Sequence, residues 1–300
     1  MRRLRRLIDQ VAPAATPVLI TGETGTGKEL VASAIHAGGP RRDRAFVAVN
    51  CAALPEPLLE SELFGHARGA FTGATQTRRG LFAEAHEGTL FLDEVGDLPP
   101  PLQGKLLRVL QSGEVRPVGS ETVRTVDVRC VAATHKDLTL LVDQGTFRED
   151  LFFRLDVLRV PVPPLRERGE DIPLLVEHFL RKSLARYPRS VMVGLDAAAL
   201  AHLTTYAFTG NVRQLENLVE RLVVTAARKH ATAADVRAAV GVVRDTDPLA
   251  PLLARPVTLK ELEDRYIEAV LEKVGGSKPR AAELLGVDLS TLYRRQKTRP

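Results

Sequence analysis

The 300-residue sequence predicts an α/β protein in three parts: a parallel sheet covered by helices, a helical appendage, and a small all-α module at the C-terminal end. Three observations carry this. Five short apolar runs alternate with helix-length segments over roughly the first half, the pattern of a parallel sheet with crossover helices. Beyond a proline-rich stretch, "VPPLRERGEDIP", strand signals fade, and 171–240 read as helices only. A segment rich in Asp, Pro and Ala, "RDTDPLAPLLARP" (244–256), then sets the end of the chain apart. The expected division is 1–170, 171–243, a linker at 244–257, and 258–300.

The elements follow in order. "MRRLRRLIDQ" has the positive flank of a signal peptide without the apolar stretch that follows one, and Leu4, Leu7, Ile8 and Val11 recur at helical spacing, so it predicts a basic amphipathic helix. "PVLIT" (17–21), "AFVAV" (45–49), "GTLFLD" (88–93), "VRCVAAT" (128–134) and "VLRVP" (157–161) predict buried strands. Glu29–Ala37 and Leu102–Gln111 predict crossover helices, and Gly210–Asn211 a turn before the helix "VRQLENLVERLVV".

Composition narrows the class. At 44% hydrophobic and 26% charged the chain reads as an ordinary soluble protein, and no apolar run nears the roughly 20 residues of a membrane span. Cys51 and Cys130 lie in apolar strand-like segments, which predicts reduced core thiols and a cytosolic protein. The net charge of +5 favours an anionic partner without identifying it, and the seven histidines lack metal-ligand spacing.

The stretch Thr21–Leu30, "TGETGTGKEL", nearly spells G-x-x-x-x-G-K-[ST], with Glu29 where a hydroxyl belongs. Gly22, Gly25 and Gly27, with Glu23, Thr24 and Thr26 between them, let backbone N–H groups converge on phosphate at a helix N-terminus, and Lys28 reaches the β- and γ-phosphates. Taken alone the match also fits a glycine turn. A second feature agrees with it: "GTLFLDEV" ends an apolar strand with Asp93 and Glu94, at the carboxyl edge where parallel sheets bind ligands. Alone, that pair also fits a solvated acidic turn. Together they predict an ATP site in which Asp93 holds Mg²⁺ through water and Glu94 orients the attacking water. Magnesium needs few protein oxygens, so Glu29 need not abolish binding, and its charge suits a helix start.

These residues, with "GAFTGA" at Gly69–Ala74, "FREDLFFRL" and "GNVRQLEN", resemble in the same order the bacterial enhancer-binding activators of sigma-54 RNA polymerase, which are AAA+ ATPases. The family commonly has Glu after the loop lysine. The resemblance implies the AAA+ P-loop NTPase fold with an α-helical lid. It implies that Asn50 restrains Glu94, that Thr134 and His135 form the first sensor, and that Arg213 is the second sensor, reporting the γ-phosphate. It implies that Arg148 and Arg154 reach a neighbouring subunit's ATP, which requires a homo-oligomeric ring, by the family's habit a hexamer. Gly69, Ala70, Phe71, Thr72, Gly73 and Ala74 become the loop that engages sigma-54. Phe208 and Thr209 stand where the family usually has Trp and Pro.

The C-terminal segment carries a helix, a Gly275–Gly276 break and two short helices around Gly286, with Ser277 and Asp288 fitting N-caps. Ala281, Ala282, Leu284, Leu285, Val287, Leu292 and Tyr293 offer a compact apolar set. Lys278, Arg280, Arg294, Arg295, Lys297 and Arg299 make this end basic, which suits a helix-turn-helix, with a capping bundle carrying a solvated basic face as the alternative. "RAAELLGV" and "TLYRR" resemble the Fis-type DNA-binding end of the same activators, which implies double-stranded DNA as partner and adds Ser290, Thr291 and Tyr293 to the contact set.

The expected function is an ATP-hydrolysing activator that binds upstream DNA and remodels sigma-54 holoenzyme to open promoters in the bacterial cytoplasm. A DNA-binding regulator using ATP only as an assembly switch and a AAA+ remodeller of replication proteins are the alternatives. The intact Asp93–Glu94 pair argues against the first, and "GAFTGA" against the second. The phosphate loop begins about twenty residues from Met1, which leaves no room for the receiver or sensory domain many relatives carry. Control by a separate regulatory protein, constitutive competence and a longer parent chain all fit.

Overall fold

A computed structural model of the chain describes residues 1–70, 76–240, 258, 261–263, 266–267, 270–271, 274 and 277–288. The chain divides into two units, residues 1–241 and 242–300.

The first unit runs α1 (Arg2–Val11), β1 (Val18–Thr21), α2 (Lys28–Ala37), β2 (Phe46–Asn50), α3 (Glu56–Phe64), α4 (Leu81–Glu84), β3 (Thr89–Asp93) and α5 (Pro100–Ser112). It continues with β4 (Glu114–Val115), β5 (Arg124–Thr125), β6 (Arg129–Thr134), α6 (Leu138–Asp143), α7 (Glu149–Leu155) and β7 (Leu158–Pro161). The five predicted runs form one parallel sheet in the order β2-β3-β6-β1-β7. β6 is buried along its whole length and β3 along all but its last residue, the consequence of covering both faces of unbroken apolar strands. On one face Leu59, Phe64, Phe82, Leu102, Leu106 and Leu151 pack beneath the sheet; on the other, Leu4, Val11, Val31, Ile35 and Val160 do.

α1 is the amphipathic helix the periodicity predicts, with Leu4 and Val11 buried. Its last carbonyls are satisfied from the sheet: buried Arg129 donates from Nη1 to Ala12 O (2.6 Å) and from Nη2 to Val11 O (2.8 Å). Cys51 and Cys130 are buried free thiols, and burial pushes both up to about 12; Cys51 sits just past β2 rather than within a strand. The short antiparallel β4–β5 pair is an addition to the sequence expectation.

The remainder of this unit packs α8 (Ile172–Arg186), α9 (Ala197–Thr205), α10 (Asn211–Val224) and α11 (Ala233–Val240) around Val176, Leu203, Phe208, Leu215 and Val236. The helices-only expectation needs correction: β8 (Gly194–Leu195) pairs in parallel with β9 (His230–Ala231). Two-residue strands are too short to show a period, and this pair ties the loop before α9 to the loop before α11. Phe208, where the family pattern has Trp, is fully buried and meets Tyr206 edge-on at 4.9 Å.

In the second unit the helix Lys278–Leu285 ends at Gly286 with φ +66°. Ala281 and Ala282 are buried against the partly buried Ile267, Val270, Leu271, Val274 and Leu285. Leu284 and Val287, expected in the apolar set, are exposed: Leu284 lies away from the face of Ala281 and Ala282, and Val287 lies past the helix end. Ser277 occupies the N-cap position without a side-chain capping bond. Leu292, Tyr293, the linker 244–257 and the helix expected after Asp288 lie outside the described residues. No described helix is long and apolar enough to cross a membrane.

Candidate nucleotide site

The strand order sets the carboxyl ends of β2, β3, β6 and β1 side by side, which brings Asn50, Asp93, Thr134 and the loop after Thr21 to one edge. Gly22 N–H bonds to Thr134 O at 3.3 Å, joining the loop to β6. Gly27, at φ +97°, leads into α2, whose first turn has no side-chain cap, so its N–H groups stay available to an anion. Lys28 is only 6% exposed; its Nζ donates to Gly22 O (2.9 Å) and lies 3.4 Å from Glu94 Oε1. A buried ammonium with so few acceptors fits a phosphate. Thr26 is buried and donates its hydroxyl to Glu23 O at 2.8 Å. Thr24 is exposed, as is Glu29 in the first turn of α2.

The two carboxylates behave differently. Burial, then the neighbouring Glu94 charge, pushes Asp93 above its ordinary range against the pull of Lys28. Burial also pushes Glu94 upward, but the hydrogen bond from His135 and the Lys28 charge outweigh it, and Glu94 sits below its ordinary range. Glu94 Oε2 accepts from His135 N–H (3.2 Å) and lies 2.6 Å from His135 Nδ1. The expected Asn50–Glu94 contact is therefore corrected: Asn50 Nδ2 donates to Asp93 Oδ2 at 3.1 Å. Parallel register sets Asn50 beside Asp93, while Glu94, at φ +52°, turns away toward β6 and is held by His135. Thr134 is fully buried, and its hydroxyl accepts from Lys136 N–H at 2.9 Å. The hard carboxylate oxygens of Asp93, within reach of the Lys28 charge, suit Mg²⁺.

The helical part meets the loop directly. Val212 and Arg213 N–H groups bond to Gly25 O at 2.9 and 3.3 Å, which sets the exposed Arg213 beside the phosphate loop. Arg168 donates from Nη2 to Thr26 O at 2.9 Å. Glu23, expected to touch nucleotide, instead turns its carboxylate to Arg166 and Asn211. Arg166, Arg168 and Asn211 were missed from the sequence. "GNVRQLEN" was read for its arginine and "LRERGED" as a boundary, although an Asn between Gly and a helix signals a left-handed residue.

Other predicted residues stand elsewhere. Arg148 and Arg154 are exposed on α7 or its cap; Arg148 pairs with Asp150 (Nη2 to Oδ2, 2.8 Å) and Arg154 donates to Leu110 O (2.8 and 3.1 Å). A cleft of about 910 Å³ between α5 and the β4–β5 segment is lined by Arg148 but by none of the phosphate-loop residues. Gly69 and Ala70 are described and top a stem in which His66 bridges to Arg78 and Val118; Phe71, Thr72, Gly73 and Ala74 lie outside the described residues. Lys278 and the exposed Arg280 open the C-terminal helix, and Ser290, Thr291, Tyr293, Arg294, Arg295 and Lys297 are likewise outside them.

Residues 1–161 match the sigma-54 interaction domain, 166–248 the AAA+ ATPase lid domain, and 258–297 the bacterial regulatory protein, Fis family. The chain is 47% identical over 299 residues to the transcriptional regulatory protein ZraR of Escherichia coli (strain K12), covering 97% of this chain and 65% of ZraR. It is 48% identical over 289 residues to the Nif-specific regulatory protein of Azotobacter vinelandii, covering 95% of this chain and 55% of that one. It thus spans less than two thirds of either relative. Among solved structures, NtrX from Brucella abortus superposes with a TM-score of 0.74 at 37% identity, over 99% of this chain and 67% of NtrX. NtrX in complex with ATP gives 0.72 at 38%, with the same coverage.

Proposed function

Because the chain belongs to the sigma-54 interaction domain family, we propose that it is an ATP-driven activator of sigma-54 transcription. Its fold is the AAA+ P-loop NTPase fold, with a parallel sheet, a helical lid and a C-terminal Fis-type helix-turn-helix domain. In this reading 1–170 is the α/β ATPase part, 171–243 the lid, 244–257 the linker and 258–300 the DNA-binding domain.

The observation that carries the proposal is the buried Lys28 set between the phosphate loop and Glu94, at the edge where Asp93 and Thr134 also end their strands. Nucleotide phosphates draw Lys28 away from Glu94, which is then free to polarise water under the control of His135. Asp93, steadied by Asn50, would hold Mg²⁺, which supplies charge neutralisation at the phosphate oxygens when bound. Thr134, His135 and Arg213 sense the γ-phosphate. The exposed Arg148 and Arg154 act on a neighbour's nucleotide in a head-to-tail ring, a hexamer by the family's habit. The Gly69–Ala74 loop then pushes on sigma-54 holoenzyme, and the C-terminal basic residues hold upstream DNA in the bacterial cytoplasm.

Steady-state ATPase and in vitro transcription from a sigma-54 promoter test this together. Glu94→Gln lowers turnover by about 10²–10⁴ while retaining ATP binding. Thr72→Ala keeps ATPase and loses open complexes. ATP binding by the native chain without turnover would instead favour the assembly switch, and normal transcription by Thr72→Ala would remove the loop from the mechanism.

A further inference from the structure

The phosphate loop carries a carboxylate of its own. Glu23 sits within the segment that is to hold a polyanion, where an unbalanced negative charge opposes binding. Its partners come from far along the chain. Arg166 donates from Nη1 to Oε2 (2.9 Å) and from Nη2 to Oε1 (2.6 Å), a bidentate pair. Asn211 donates from Nδ2 to Oε2 at 3.1 Å.

Asn211 is fully buried with φ +54°, and its amide is used on both sides. Oδ1 accepts from Leu165 N–H (2.8 Å), and Nδ2 also donates to Thr24 O (3.1 Å). One side chain thus ties the loop, the 165–168 segment and the start of α10. With Val212 N–H on Gly25 O and Arg168 on Thr26 O, each of the four loop residues Glu23–Thr26 accepts a bond from the 166–168 segment or the start of α10. An exposed ion pair by itself contributes little; this one closes a network anchored on a buried amide.

We propose that Glu23, Arg166 and Asn211 form a latch: Arg166 neutralises the carboxylate built into the phosphate loop, and Asn211 passes movements of that loop to the lid without need of Arg213 or a γ-phosphate. The inference rests on the ATP-binding reading of the Gly22–Lys28 loop. Glu23 is a positioning residue that keeps its carboxylate on the lid side. Removing Arg166 turns the loop's own charge against the nucleotide, the triphosphate more than the diphosphate. Removing the Glu23 charge as well cures that defect but leaves the lid unlatched.

The full chain and its Arg166→Met, Glu23→Gln and doubly substituted variants are titrated with fluorescent N-methylanthraniloyl ATP and ADP in Mg²⁺. Hydrogen exchange of 165–168 and 210–214 is followed with and without ADP. Arg166→Met binds the triphosphate about fivefold more weakly, and the double variant regains about that factor. ADP protects both segments in the native chain and loses that effect in the two variants lacking Glu23. Native affinity in Arg166→Met overturns the latch. So does a double variant as weak as Arg166→Met, which would make Arg166 a direct phosphate ligand. Native-like protection in Glu23→Gln also overturns it. A native chain that binds neither nucleotide overturns the ATP-binding reading, and the latch with it.

Discussion

Replacing Gly25 by alanine tests the docking of the lid on the phosphate loop through atoms other than the latch. Gly25 has φ +79°, and a β-carbon there would lie 2.5 Å from Gly210 O and 3.2 Å from Arg213 Cβ. Two costs can be separated. The left-handed backbone alone costs an L-residue about 1–2 kcal/mol. The contact with Gly210 is with backbone, so relief requires the start of α10 to retreat. Retreat breaks the bonds from Val212 and Arg213 N–H to Gly25 O, at 2.9 and 3.3 Å, each worth about 1 kcal/mol. The total is about 3–4 kcal/mol. Gly145→Ala is the control: φ there is +69° with nothing within 4 Å of the added carbon, so it carries the backbone cost alone. Urea denaturation of the two variants, beside nucleotide titration, measures the difference. Gly25→Ala loses more stability than Gly145→Ala and alone loses nucleotide affinity. Equal losses with unchanged affinity would refute the close approach of lid and loop.

Three further outcomes are expected. His36 is buried with Nδ1 2.9 Å from Thr89 Oγ1; burial, then the Arg129 charge, holds it below the ordinary imidazole range. Its folded form binds protons less readily than the unfolded chain, so its stabilisation is full above the ordinary value and is lost as pH falls toward the folded one. The native chain therefore loses more stability between about pH 7.5 and about pH 5.5 than His36→Gln does; equal losses would refute the assignment. Phe208→Ala removes a fully buried ring and costs about 3–5 kcal/mol by denaturant titration, with a cost under about 1 kcal/mol counting against its role in the lid core. ATP at about a hundred times its dissociation constant raises stability by about 2.7 kcal/mol, and EDTA removes most of that gain; an EDTA-insensitive gain would take Asp93 out of metal binding.

The fold was legible where chemistry and period coincide. Five runs of β-branched and aliphatic residues could bury both faces only in a covered parallel sheet, and all five became strands within a residue or two of their expected ends. The loop glycines and Lys28 stood out because phosphate binding needs those residue types at that spacing, and the structure sets Lys28 buried beside Glu94. What stayed hidden was pairing. Nothing in the letters says that Asn50 lies beside Asp93 rather than Glu94; the parallel register decides it, and a single left-handed residue sends Glu94 to His135. β8 and β9 were invisible because two residues carry no period.

The same distinction explains why the lid contacts were missed while the lid itself was not. Lid helices announce themselves by apolar spacing, since Leu215, Leu218, Val219 and Leu222 recur along α10 and bury one stripe. The residues that join lid to loop obey no period, because each serves a single contact fixed by topology. Glu23 and Arg166 stand 143 positions apart and are paired only once β1 and β7 lie side by side. That adjacency brings the chain leaving β7 across the loop leaving β1, where Val162 N–H bonds to Thr21 O at 2.7 Å. A short segment leaving this crossing has to carry both Arg166 and Arg168 past the phosphate loop before α8 begins. A charge placed there therefore acts on the nucleotide site whatever helices follow, so the coupling of lid to loop is a property of the sheet order before it is a property of the lid.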